Sequence, residues 1–382
     1  MRIVGVTPGD PADRSVWSGS SAHLLDALRS HGVLADAVDG RPAVVDLLET
    51  LASFSPSRPR WRQRFSSRTS PLSPLARRAW SRRAARRLRR LGAEFDAVVQ
   101  IGGWYDVGSR VARDVLLASY HDGNLGTYLR HPELVLDRGS PGVRRAHRFE
   151  RQLYDRLDVI FTMSDWVRAS FVEEFGQDER KVVTVHAGAN FRMPPSAPPA
   201  REGSRPSVLF VGKGDFARKG GPQLLAAFER ARAAVPSAEL WLVGPERPLA
   251  RSPGLVWLGR IPRTPEGEAE LTRLYQEATV YAMPSLYEPF GIAFLEAMAN
   301  GLPCVGGDSC AMPEIIEDGV TGYVVSPADV DALAERLVAL LRDPSLARRL
   351  GEAGRQRFLE RFTWDGVAGR MAGELTRRLP GP

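Results

Sequence analysis

Apolar and polar positions recur along this chain with two different spacings. Short, continuous, β-branched runs occupy Ile3–Val6, Val33–Val38, Ala97–Ile101, Val115–Ser119, Val159–Met163 and Val182–His186. A second series follows at Val208–Val211, Leu240–Val243, Val256–Leu258, Val280–Met283, Pro303–Gly306 and Gly322–Val325. Continuous rather than alternating apolar residues predict strands covered on both faces. Helical spacing fills many of the gaps, as in Leu224–Val235, Leu271–Glu277 and Val330–Leu341. Strand–helix alternation of this kind predicts parallel sheets with right-handed crossovers.

The two series are separated by Pro194-Pro195-Ser196-Ala197-Pro198-Pro199. Four prolines in six residues forbid both a helix and a central strand, so a semi-rigid linker is expected. At 382 residues the chain exceeds what one hydrophobic core usually serves. The expected fold is α/β, with two Rossmann-like parallel-sheet domains facing a central cleft. Their expected extents are 1–191 and 207–363, joined by 192–206. Ligands of open α/β sheets bind beyond the strand C-terminal ends.

Composition alters this picture little, and charge alters it more. No apolar run reaches bilayer length and the start lacks a signal-peptide pattern, which together predict a cytoplasmic location. The net charge of +7 resides in the N-terminal half: residues 1–190 hold 29 Lys+Arg against 22 Asp+Glu, leaving 23 and 23 in the remainder. Thirteen arginines fall between Arg58 and Arg90, many in pairs at helical spacing with Trp80 and Leu88 among them. Cys304 and Cys310, with no second pair, predict reduced thiols rather than a zinc site.

Two segments carry chemistry. In the first, strand Val280–Met283 leads into Glu288-Pro289-Phe290-Gly291 and a helix from about Ile292 to Asn300, closed by Gly301. The free N–H groups of Phe290, Gly291, Ile292 and Ala293 at that helix start suit a diphosphate. Glu288 and Glu296 can accept hydrogen bonds from sugar or ribose hydroxyls. In the second, strand Val208–Val211 feeds Gly212-Lys213-Gly214-Asp215-Phe216-Ala217-Arg218-Lys219-Gly220-Gly221. Lys213 and Lys219 stand out in a chain that otherwise prefers arginine, and two ammonium groups there neutralise a departing diphosphate. Asp329-Val330-Asp331 spells a metal-binding D-x-D, but it opens a helix, where capping and the helix dipole explain it.

Together these strings resemble the family 4 retaining glycosyltransferases, which have the GT-B fold. Glu288-Pro289-Phe290-Gly291 with Glu296 resembles that family's E-x7-E element, and Pro313–Gly319 with Thr321-Gly322 continues in its style. The resemblance implies a nucleotide diphosphate-sugar donor and a front-face mechanism with no metal and no cofactor. It gives Lys213, Lys219, Glu288 and His121 catalytic roles. Donor binding falls to Gly19, Arg218, Ile261, the Phe290–Ala293 amides and Glu296. Gly19 lies in Ser18-Gly19-Ser20-Ser21 ahead of a helix Ala22–Arg29, His121 follows strand Val115–Ser119, and Gly259-Arg260-Ile261 borders the nucleobase. By the same resemblance the segment from 364 to 382 crosses back to the first domain. Lys213 stands where the family commonly has arginine, which loses a bidentate fork.

The acceptor is not identified. The arginine block predicts either a helix drawn to anionic lipid at the inner membrane face or a patch for an acidic or phosphorylated acceptor. A solvated helix is the third reading; nucleic acid is not expected, since the paired arginines from Arg77 to Arg90 are not interleaved with a row of stacking aromatics. The alternative function is a catalytically silent, nucleotide-sugar-binding or assembly protein of the same fold. Oligomeric state is not legible.

Overall fold

The computed structural model describes residues 1–40, 56–57, 74–92, 94–108, 114–130, 139–191, 205–212, 214–244, 252–262 and 264–379. The proline-rich segment and Lys213 lie outside the described residues. The chain divides into two compact units, one comprising Met1–His186 with Val367–Pro382 and the other Ala187–Gly366.

The first unit contains β1 (Ile3–Thr7), α1 (Ser20–Ser30), β2 (Leu34–Asp39), α2 (Pro74–Arg90), β3 (Ala97–Ile101), β4 (Leu116–His121) and α3 (Leu125–Leu129). It continues with α4 (Pro141–Arg156), β5 (Val159–Thr162), α5 (Asp165–Glu173) and β6 (Val182–Thr184). Its strands form one parallel sheet in the order β2-β1-β3-β4-β5-β6. β1, β3 and β5 are buried along their whole length, as continuous apolar runs require. Two apolar clusters cover the sheet, one built on Val4, Val98, Trp80, Leu88 and Tyr105, the other on Leu153, Tyr154, Ile160 and Phe171.

The second unit contains β7 (Ser207–Val211), α6 (Gly221–Ala234), β8 (Glu239–Val243), β9 (Leu255–Gly259), α7 (Pro265–Glu277), β10 (Val280–Met283) and α8 (Ile292–Ala299). β11 (Cys304–Gly307), α9 (Met312–Ile315), β12 (Gly322–Val325), α10 (Val330–Arg342) and α11 (Pro344–Arg361) complete it. A last helix, α12 (Trp364–Arg378), runs on into the first unit. The strand order β12-β11-β10-β7-β8-β9 is that of a dinucleotide-binding sheet, whose order reverses between β7 and β10. The loops after these two strands are the two chemistry-bearing segments of the sequence.

Two expected boundaries shift. β4 extends through His121, which was expected in the following loop; its Tyr120 and His121 pair with Phe161 and Thr162, so the ladder continues two residues further. α1 begins at Ser20 rather than Ala22, because Gly19 adopts a left-handed conformation at φ 94° and caps it. No helix among the described residues is long and apolar enough to cross a membrane.

Candidate active site

The site in the second unit is built on the switch between β7 and β10. Gly220, at φ 74°, caps α6, and a Cβ there would lie 1.9 Å from the Pro284 carbonyl oxygen. Only glycine permits this approach, which brings the loop carrying Arg218 and Lys219 against the loop carrying Glu288. The Leu286 N–H donates to the Arg218 carbonyl at 3.0 Å, tying the two loops directly. Lys219 is buried, and its ammonium donates to the Glu288 carboxylate at 2.5 Å and approaches Met283 Sδ at 3.8 Å. Arg218 is half-buried and reaches the Tyr287 carbonyl at 3.5 Å.

α8 begins immediately beyond Glu288. Gly291 caps it at φ 80°, closely packed against Met312 and Phe294. The N–H groups of Phe290, Gly291, Ile292 and Ala293 find no acceptor among the described residues. Four such donors, at the positive end of a helix and beside a lysine, form an anion-binding arrangement. Glu296, one turn further on, is buried and accepts from the Tyr275 hydroxyl at 3.1 Å. It lines a small cavity of about 30 Å³ together with Ile261, Pro262, Phe191, Thr272 and Tyr275. The predicted residues Arg218, Lys219, Ile261, Phe290–Ala293, Glu288 and Glu296 therefore all belong to this one unit.

Gly19 and His121 belong to the other unit, where the structure brings their loops together. Trp17 Nε1 donates to Asp122 at 3.1 Å, and the Trp17 ring meets Tyr120 edge-on at 5.6 Å. Trp17 and Ser18 precede Gly19 with φ of 49° and 57°, so three successive residues are left-handed. Such strain in non-glycine residues persists only where surroundings over-determine it.

His121 is fully buried, with Nε2 2.8 Å from Ser119 Oγ and its ring edge-on to Phe171 and Tyr154. Burial depresses its pKa to about 3, partly opposed by a backbone contact with Gly123. The imidazole is thus neutral at any working pH and serves as a hydrogen-bonding group, not a cation. A folded pKa below the ordinary histidine value means that stability is complete above about 6.5 and declines as pH falls towards the folded pKa. Imidazole ¹⁵N spectra of His121 are expected to show the neutral form down to pH 5; a transition near 6.5 would contradict the burial argument.

The structure also places two other features singled out in the sequence. Asp329 caps α10 by accepting from the Ala332 N–H at 2.9 Å, and Asp331 pairs with Arg230. No group of three or more His, Cys, Asp or Glu side chains among the described residues is arranged to hold a metal ion. Cys304 and Cys310 are free thiols, and burial raises both above the ordinary thiol value, Cys310 to about 11. Cys310 was missed as a neighbour of the site: the Glu288 N–H reaches its sulfur, and its φ is 54°. Only that left-handed position, which sequence conceals, sets it there.

The arginine block proves heterogeneous. Arg77 was grouped with the exposed block but is buried, paired with Glu150 at 3.3 Å and donating to the Ala146 carbonyl at 3.1 Å. Trp80 and Leu88, the large apolar side chains among the described residues of α2, are buried against the core of the first unit. Arg78, Arg82, Arg86, Arg89 and Arg90 are exposed. Those from 58 to 68 lie outside the described residues.

Two doubly wound parallel sheets, one bearing a buried lysine paired with a glutamate beside a helix start, define the class: a GT-B glycosyltransferase fold. The sucrose-phosphate synthase of Thermosynechococcus elongatus shares it with a TM-score of 0.70, at 20% identity and with 99% of each chain covered. Anabaena Alr3699/HepE, solved in complex with UDP and glucose, shares it with a TM-score of 0.63, at 14% identity, covering 98% of this chain and 99% of that one. The model of Glycosyltransferase Family 4 matches residues 23–192 and that of Glycosyl transferases group 1 matches residues 205–343. The chain belongs to the family 4 glycosyltransferases. Among curated relatives, the MMP alpha-(1->4)-mannosyltransferase of Mycolicibacterium hassiacum is 32% identical over 237 residues, 60% of this chain and 57% of that protein. The phosphatidyl-myo-inositol mannosyltransferase of Mycobacterium leprae is 33% identical over 231 residues, 58% and 59% of the two chains. The match thus spans little more than half the length of these relatives.

Proposed function

We propose that this protein transfers a hexosyl group from a nucleoside diphosphate sugar to an acceptor hydroxyl, with retention of configuration and without a metal. The observation that carries the reading is the Lys219–Glu288 pair set beside four unpaired N–H groups at the start of α8. The diphosphate would sit on these amides, where the helix dipole and Lys219 stabilise the charge that grows as the sugar departs. Positive charge supplied in this way does the work that a divalent cation does elsewhere. Lys213, on the same loop in sequence, would add a second ammonium.

Glu288 would hold a hydroxyl of the transferred sugar once the donor draws Lys219 towards its phosphates. Glu296 would hold the ribose hydroxyls, with the base near Ile261, which lines the same cavity wall as Glu296. No carboxylate stands alone as a nucleophile in this proposal, so the leaving phosphate would take the acceptor proton on the same face. Catalysis would then come mainly from positioning and electrostatics. The donor-binding role of 207–363, and the roles of Gly19, Arg218 and neutral His121 at the donor, belong to the same proposal. UDP and glucose in the Anabaena structure support a pyrimidine hexosyl donor among those to be tried.

The test is a thermal-shift panel of UDP, GDP, ADP and dTDP in EDTA, with the matching hexosyl donors. One nucleotide at 100 times its Kd is expected to add about 2.7 kcal/mol of stability. Glu296→Ala is expected to abolish that gain while leaving the ligand-free melting temperature within a few degrees. Stabilisation by no nucleotide would remove the donor assignment, and an absolute Mg²⁺ requirement for turnover would remove the metal-free mechanism. Proton NMR of the first-formed product reads retention directly.

A further inference from the structure

A second basic concentration lies on α4, outside the block that dominates the sequence. Arg144, Arg148 and Arg151 occupy positions i, i+4 and i+7 and therefore share one helix face. All three are exposed, and they line an open groove of about 540 Å³ whose apolar floor is formed by Leu129 and Val143. His147 forms part of the wall, its ring stacked on Phe175 at 4.6 Å and 12°. Glu174, the one carboxylate among the described residues that line the groove, is already engaged by Arg130 at 2.6 Å. Arg144 donates to the Gly139 carbonyl, whereas Arg148 and Arg151 have neither an acceptor nor an ion-pair partner among the described residues. Like charges stacked one turn apart destabilise a helix. An anion that bridges them around the concavity would relieve this repulsion, and a guanidinium fork matches the oxygens of a phosphate.

We propose that this groove binds a phosphate group, and that in a glycosyltransferase this phosphate is carried by the acceptor. The second clause rests on the proposed function; the first does not. The groove faces solvent on the first unit, well apart in sequence from the donor segments, and it has the mixed character a phosphorylated organic ligand needs: cationic forks above, aliphatic side chains below. α2 packs beside it through Arg77, which donates to Ala146 of α4. The exposed Arg78 and Arg82 thus lie on the neighbouring helix and attract the same ligands less specifically.

The experiment uses the full chain. Inorganic pyrophosphate is titrated calorimetrically with UDP present throughout, so that any donor-side diphosphate site is already filled. Co-sedimentation with vesicles of phosphatidylglycerol and phosphatidylcholine (3:7) is measured in parallel. The wild type is expected to bind pyrophosphate, the vesicles or both, and R148Q/R151Q to weaken that binding at least tenfold. R78Q/R82Q, which removes the same charge from α2, is expected to weaken it less than threefold. Pyrophosphate binding identifies a soluble phosphorylated ligand, and vesicle binding alone identifies a lipid headgroup. Binding of neither probe, or equal losses in the two double variants, overturns the proposal. UDP affinity of R148Q/R151Q separates the two readings: unchanged UDP binding with unchanged phosphate binding leaves the donor site standing and removes the groove. Lost phosphate binding in a chain that never binds UDP does the reverse.

Discussion

Lys219→Ala is expected to lower kcat by about two to three orders of magnitude, the scale of losing one preorganised electrostatic contact at a developing charge. The residue is one of only three lysines in the chain and is almost wholly buried, with its ammonium 2.5 Å from Glu288. Removing it has two consequences. In the proposed mechanism the departing diphosphate would lose a cation in a site where Lys219 is largely shielded from water. Glu288, whose side chain is 17% exposed, also loses its counter-charge. Because the first effect exists only as charge develops, kcat should fall much further than acceptor KM rises. Nucleotide binding should weaken only modestly, since the amides of Phe290–Ala293 remain. Steady-state kinetics at saturating donor check this, and a loss below tenfold would remove Lys219 from the mechanism.

How much of this was legible before the structure differs between the two units. The twelve strands were readable because short apolar runs between helical segments leave little else for a sequence to mean, most plainly in the fully buried β1, β3 and β5 and least in β2 and β9, which are partly exposed. The donor-side constellation was readable for a related reason. A strand end, a glycine turn and a helix start are local events, so Glu288 and Glu296 announce their surroundings within a few residues. What stayed hidden is non-local. Glu150 meets Arg77 across 73 residues of sequence, and only the packing of α2 against α4 makes that pair. The left-handed Trp17 and Ser18 carry no compositional signal, because both residue types favour other conformations. The groove was readable in part: Arg144, Arg148 and Arg151 repeat at helical spacing. Nothing in spacing alone separates a buried arginine from an exposed one.

That buried arginine carries the second large effect. Arg77→Met is expected to destabilise the protein by about 3–5 kcal/mol, because it leaves a carboxylate buried with no opposite charge. In a unit of this size, that corresponds to a fall in melting temperature of about 10 °C. The guanidinium lies 4.5 Å over the Phe149 ring and pairs with Glu150. Glu150 in turn accepts from the Leu125 N–H and the Tyr154 hydroxyl, each at 2.9 Å. Tyr154 stands against His121, so the pair also braces the wall behind the histidine. Burial raises the Glu150 pKa above its ordinary 4.5, with Arg77 opposing the rise. Without Arg77 that rise is larger. A carboxyl whose folded pKa is raised contributes its stability below the unfolded value and loses it as pH climbs through the folded one. The Arg77→Met deficit should therefore be greatest near pH 8 and shrink as the pH falls to about 3.5, below the ordinary 4.5, where Glu150 is protonated in both states. Glu150→Gln added to Arg77→Met removes the unpaired charge and should restore more than half of the loss at pH 8. Urea unfolding of the single and double variants at both pH values decides it. A pH-independent deficit, or a double variant no more stable than Arg77→Met, would mean that the pair acts through packing alone.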